Sequence, residues 1–137
     1  LLARREHSTL ELRRKLSAKG YAPMVIDEVL KRLVAERLLS DERFAAAYTT
    51  SRINKGFGPL RIQSELRERG IDDALTSQVL SQQDVCWNAH AETVRRKRFS
   101  RQIPDEYSER AKQMRFLQYR GFSSEQIRQA FKQSDWD

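Results

Sequence analysis

Leu16 to Tyr21 reads LSAKGY, Leu66 to Ile71 reads LRERGI, and Leu117 to Phe122 reads LQYRGF. In each stretch a leucine stands four residues before a glycine, a basic residue immediately before it, and an apolar residue immediately after. Six residues past the glycines come Ile26, Thr76 and Ile127, and ten past them come Leu30, Leu80 and Phe131. A period of about fifty residues in an amphipathic helical background marks tandem supersecondary units that bury their apolar faces against neighbours. Each glycine follows the last apolar position of a helix, so it is expected to be a left-handed C′ residue with positive φ. Valine in its place should cost about 1 to 2 kcal/mol at all three sites alike.

Outward from these glycines the helices are read from their ends. Ser8 with Glu11 and Ser123 with Gln126 form capping boxes, each satisfying two backbone N–H groups that a first helical turn leaves orphaned. Pro23 suits a first turn, because its missing N–H had no partner to lose. Ser40, Asp72 and Asp84 are expected as further N-caps. The stripes Leu12/Leu16, Ile26/Leu30/Leu33/Val34, Phe44/Ala47/Tyr48, Ile62/Leu66, Val79/Leu80, Val85/Trp87/Val94, Met114/Leu117 and Ile127/Phe131 are expected to face inward. No stretch alternates as a strand does. The fold class is therefore all-α: an elongated, right-angled or curved array of tandem three-helix repeats over 1–39, 40–83 and 84–137. The chain opens on Leu1 and Leu2 without a Met, so the first repeat is expected to lack part of its opening helix.

The 137 residues carry 26 Lys and Arg against 19 Asp and Glu, a formal charge of +7. The excess lies in the first two-thirds, since residues 104–137 hold six of each sign. Such a balance points to an anionic partner. No apolar run reaches membrane-spanning length, and the single cysteine, Cys86, excludes an intrachain disulfide. Cys86 reads as a small core residue on a helix. His7 and His90 have no cluster at metal-ligand spacing and are assigned surface or capping roles. The turn Lys55–Pro59 has glycines before a helix but lacks the spacing and the Lys-Ser or Lys-Thr of a phosphate-binding loop. Neither an enzyme nor a cofactor is indicated.

Basic residues gather twice. Arg52, Lys55, Arg61, Arg67 and Arg69 surround the turn between the first two units, and Arg95, Arg96, Lys97, Arg98 and Arg101 precede the third. Four consecutive basic residues spread over about 300° of a helix, so the second group is partly a solvated helix end favoured by the dipole. We take Arg52, Lys55, Arg61, Arg67, Arg95, Arg96, Lys97 and Arg98 as candidate contacts to an anionic partner. Tyr21, Phe44, Tyr48, Phe116 and Phe122 are assigned to the core rather than to base stacking.

Ser40 to Ile71, SDERFAAAYTTSRINKGFGPLRIQSELRERGI, resembles the RecX family, regulators of the bacterial recombinase RecA. The resemblance rests on Asp41, Arg43, Phe44, Ala45 and Arg52, then Lys55, Gly56, Gly58, Pro59, Arg61 and Ile62, then Glu65, Leu66, Gly70 and Ile71. It extends to His7, Ser8, Glu11, Leu12, Lys15 and Leu16, and to Arg115, Phe116, Leu117, Arg120, Gly121 and Phe122. It implies a cytoplasmic protein of three-helix repeats that binds the RecA filament on DNA and restrains its recombinase, ATPase and coprotease activities. A monomer without cofactor or membrane association is expected, and the family has no catalytic residues to carry over. The competing reading is a helical module that binds DNA directly without sequence specificity, since three-helix units resemble helix-turn-helix domains.

Overall fold

A computed structural model describes residues 5–132. Among these residues the regular structure is entirely helical: α1 (Thr9–Ala18), α2 (Pro23–Ala35), α3 (Asp41–Asn54), α4 (Pro59–Glu68), α5 (Asp73–Ser81), α6 (Trp87–Arg98), α7 (Tyr107–Arg120) and α8 (Ser124–Ala130). The partial helix expected at the start of the chain lies largely outside the described residues.

The helix starts follow local chemistry. Ser8 Oγ accepts from Glu11 N–H at 3.0 Å while Glu11 accepts from Ser8 N–H at 3.1 Å. Ser123 and Gln126 repeat this box at 3.2 and 2.9 Å. Pro23 opens α2, Ser40 accepts from Arg43 N–H at 3.1 Å, and Asp72 accepts from Leu75 N–H at 2.7 Å. Asp84 is the exception. The chain stays extended through Cys86, which is the N-cap of α6 and makes no side-chain cap bond. Cys86 is consequently exposed rather than a core residue.

The helix ends share one device. At the three repeat glycines the following N–H reaches back to the leucine carbonyl: Tyr21 to Leu16 at 3.3 Å, Ile71 to Leu66 at 3.0 Å and Phe122 to Leu117 at 3.2 Å. Each glycine N–H bonds the carbonyl three residues earlier, as a Schellman motif requires, with φ of 92°, 81° and 98°. The same arrangement ends α3 at Gly56. It also ends α2, where Arg37 takes the left-handed position without being glycine, at φ 60°.

Packing divides the chain into two compact units, residues up to Thr50 with Ser64–Gln82, and Ser51–Gln63 with the residues from Gln83 onward. In the first, Leu12, Ile26, Leu30 and Leu39 form a core flanked by Leu16 and Leu33. Val34 is not part of it and is 51% exposed. The helix ends one residue later, and the turn at Arg37 sends Leu38 and Leu39 back over the Leu33 carbonyl, so Leu39 fills the place expected of Val34. Ala47 is also exposed, and Tyr21, assigned to the core, has its ring half in solvent, which its phenol tolerates. In the second unit Ala91 and Val94 of α6 meet Leu117, Phe122, Ala130 and Phe131, with Trp87, Met114, Phe116 and Ile127 around them.

His7, assigned a surface or capping role, is buried beside the α1 N-cap Ser8. Its Nδ1 lies 3.2 Å from the Arg5 carbonyl and its Nε2 lies 3.0 Å from Lys15 Nζ. A carbonyl needs Nδ1–H and an ammonium needs a bare Nε2, so the neutral tautomer fits this site. Burial, with Arg5 and Lys15 nearby, lowers the pKa from 6.5, against the Arg5 carbonyl and Glu11, which raise it. His90 is lowered in the same direction by burial and by Lys97, against its bond to the Phe57 backbone. Unfolding therefore takes up protons as pH falls through the ordinary imidazole range, and stability drops with falling pH there. Urea midpoints are expected to decrease between about pH 7.5 and pH 5.5, and His7→Gln is expected to flatten part of that slope. An unchanged slope would show that His7 titrates alike in both states.

Candidate interaction surface

The turn between α3 and α4 docks on the end of α7 through main chain. Gly58 N–H donates to the Arg120 carbonyl at 2.8 Å and Leu60 N–H to the Gly121 carbonyl at 3.0 Å. Gly58 approaches so closely that a Cβ there would stand 2.6 Å from the Gly121 backbone. This docking needs glycine at both 58 and 121, and it holds the Phe57 ring at the centre of a cationic group.

Three guanidiniums converge on that ring. The Cζ of Arg52 stands 3.7 Å from its centroid, that of Arg61 4.6 Å and that of Arg120 4.7 Å. Arg61 also lies 4.7 Å from the Tyr119 ring and donates to the Tyr119 carbonyl at 3.1 Å. Arg120 donates to the Lys55 carbonyl at 2.9 Å. Cation–π contact offsets the mutual repulsion and holds each planar fork in place. Burial lowers the Arg120 pKa, helped by the charges of Arg61, Arg52 and Arg98, and opposed by Tyr119. Arg120 nonetheless remains a cation, since arginine does not deprotonate near neutrality.

Beside Arg120, in the same unit, a groove of about 320 Å³ is lined by Lys55, His90, Thr93, Lys97, Arg98 and Phe116 among others. Arg98 lies 5.7 Å from the Phe116 centroid and Arg120 5.0 Å. Of the eight candidate contacts, Arg52, Lys55 and Arg61 thus meet around one turn, and Lys97 and Arg98 line the groove next to Arg120. The others are engaged elsewhere. Arg67 belongs to the first unit and pairs with Asp73 at 3.1 Å. Arg96 pairs with Glu92 one turn earlier on α6.

Arg95 is not a surface contact, because it is only 1% exposed. Its guanidinium donates to the carbonyls of Ala130, Ser100 and Arg101 at 3.1, 3.2 and 3.3 Å and to Gln113 Oε1 at 3.4 Å. Of four consecutive basic residues one had to face the core, and the apolar phase of Ala91 and Val94 identifies that face as the one Arg95 extends. Phe57 and Arg120 join the site although neither is among the candidate contacts read from the sequence. Both lie in the resembling stretches, but nothing local shows that positions 57 and 120 meet.

No group of three or more His, Cys, Asp or Glu among the described residues could hold a metal ion. No described helix is long and apolar enough to cross a membrane.

Three family models match consecutive parts of the chain: the first three-helix domain of RecX over residues 1–33, the second over 40–80 and the third over 88–131. The regulatory protein RecX of Halorhodospira halophila is 43% identical over 137 residues, all of this chain and 85% of that relative. The RecX of Vibrio cholerae is 42% identical over all of this chain and 90% of its own. A crystal structure of regulatory protein RecX superposes with a TM-score of 0.77 at 25% identity, over 93% of this chain and 64% of that one. The RecX of Lactobacillus salivarius shares the fold, with a TM-score of 0.76 at 24% identity over 94% and 86%. The three-helix domains fall on the repeats marked by Gly20, Gly70 and Gly121, and so the chain belongs to the RecX family of regulatory proteins.

Proposed function

We propose that this protein binds the RecA filament assembled on DNA and restrains its ATP hydrolysis, strand exchange and coprotease activity, with the Arg52–Lys55–Arg61 turn as part of the contact face. The observation that carries the choice of face is the convergence of Arg52, Arg61 and Arg120 on Phe57. Guanidiniums held over a ring have already given up rotamer freedom, so less is lost when they meet carboxylates or phosphates. Binding alone does not regulate. The protein slows RecA only in so far as it binds one filament state better than the active one, and that difference in affinity sets the size of the effect.

The test is charge reversal. Arg52→Glu, Lys55→Glu and Arg61→Glu together are expected to weaken co-sedimentation with RecA filaments about tenfold or more and to relieve inhibition of ATP hydrolysis in parallel. Helix content measured by circular dichroism should be retained. Reversal of Lys112 and Arg128, in the electrically balanced last third, should change binding less. A triple variant that binds as well as wild type would exclude this face. A wild-type protein without effect on RecA filaments at physiological salt would remove the function itself.

A further inference from the structure

Two apolar side chains beside the Phe57 cluster are left unburied by the fold: Leu60 is 52% exposed and Tyr119 70%. Both sit against the arginines of the same unit. Leu60 N–H is held by the Gly121 carbonyl, next to Arg120, and the Tyr119 ring lies 4.7 Å from the Arg61 guanidinium, which also donates to the Tyr119 carbonyl at 3.1 Å. A single exposed apolar residue is ordinary on a protein surface. These two adjoin cations whose side chains are already held, and tyrosine and arginine are enriched where protein interfaces concentrate their binding energy.

Packing does not demand either residue, as the repeat makes plain. Ten residues before Gly20 stands Leu10, and ten before Gly70 stands Leu60. Leu10 is used inside the first unit, where it closes over Gly70: a Cβ on that glycine would stand 2.7 Å from the Leu10 Cβ. In the second unit Arg61 takes this part, since a Cβ on Gly121 would overlap the Arg61 side chain, and Leu60 is left to solvent. Two residues before the repeat glycines stand Ala18, Glu68 and Tyr119, all exposed, so the helix end requires no aromatic there.

The chemistry of these groups selects the partner. A nucleic-acid backbone presents phosphate and sugar and gives Leu60 nothing to bind. A protein surface supplies apolar side chains and carboxylates within one patch. Arg120 forms no ion pair among the described residues, so a carboxylate arriving beside it meets a charge not already neutralised, on a planar fork that carboxylates match. We infer that Leu60 and Tyr119, flanked by Arg61 and Arg120, are the apolar centre of a protein-docking site, and that its occupant is a patch of the filament's protein, not of its DNA, that sets a carboxylate beside an apolar side chain. This rests on the filament contact proposed above and states which component of the filament the face meets.

The experiment uses the whole protein, RecA filaments on DNA, and bare oligo(dT). Leu60→Ala with Tyr119→Ala is expected to weaken co-sedimentation with the filaments about tenfold. The factor should be the same at about 50 and about 300 mM salt, because apolar burial is not screened as charge is. Anisotropy of labelled oligo(dT) without RecA should match wild type. Leu60→Ala alone leaves the contact between Arg61 and Tyr119 in place; it should give about a threefold loss, equally independent of salt, and keeps the test decisive if the double variant loses helix content. Either variant binding filaments as wild type does would overturn the inference and leave the filament contact standing. An equal loss for bare oligo(dT) would also overturn it, by placing nucleic acid on this surface, as would a loss that vanishes at the higher salt, which would trace to the charge of Arg61. Wild-type protein that does not sediment with the filaments would remove the filament contact itself, and this docking site with it.

Discussion

Gly121→Val is expected to destabilise the protein by about 4 kcal/mol or more, whereas Gly20→Val should cost only about 1 to 2 kcal/mol, although both residues end equivalent helices. The left-handed backbone penalty is common to both, with φ of 98° at Gly121 and 92° at Gly20. The surroundings differ. A Cβ on Gly20 meets nothing within 4 Å, while one on Gly121 would overlap the Arg61 side chain and stand 2.6 Å from its backbone nitrogen. Main chain at the start of α4 cannot yield without losing the Gly58 to Arg120 and Leu60 to Gly121 hydrogen bonds. Gly70 should fall between them, since the Cβ there would stand 2.7 Å from the Leu10 Cβ, which turning the side chain does not move, so α1 must shift, but no main-chain atom is approached as at Gly121. Urea denaturation of the three variants checks the order. Equal losses at all three would mean that backbone conformation alone sets the cost. The expectation of equal behaviour drawn from the repeat is thereby replaced, because conformation repeats along the chain and neighbours do not.

Arg95→Ala should cost about 3 to 5 kcal/mol, and Arg95→Lys should recover less than half of it. The guanidinium binds three backbone carbonyls and the Gln113 amide oxygen, and these lie in the α6–α7 connection, on α7 and at the end of α8. Truncation orphans those acceptors and leaves a cavity beside Phe131, whose ring lies 5.4 Å from the guanidinium. Lysine keeps the charge but cannot span four acceptors with one compact ammonium. Burial, together with Arg96 and against Glu92, lowers the Arg95 pKa, yet the group stays protonated as its all-acceptor surroundings require. Denaturant midpoints of the two variants measure the effect. A loss under about 1 kcal/mol for Arg95→Ala would show that water replaces the guanidinium at these carbonyls.

Whatever a single helical turn decides is legible in the order of the amino acids. Ser8 and Ser123 close their boxes with residues three positions on, and the repeat glycines end their helices through bonds spanning five residues, so each short stretch carries all the partners. The repeat, the helical class and the excess of positive charge belong to this level. Asp84 departs even here, because capping chemistry only permits a helix start, and the chain remains extended for two further residues. Packing decides which member of a local pattern faces what. Arg95 and Arg98 stand in one basic run, yet one is sealed among carbonyls and the other lines a groove. Tyr21 and Phe122 occupy the same repeat position, yet one is half exposed and the other buried. The Phe57 cluster joins Arg52 and Arg61 to Arg120, far along the chain, through main-chain docking at Gly58 and Gly121. Such long-range pairs form only when the summed burial of whole helices outweighs the entropy of closing the chain between them. No local pattern around either partner records that balance, and the interaction surface therefore emerges from the packing.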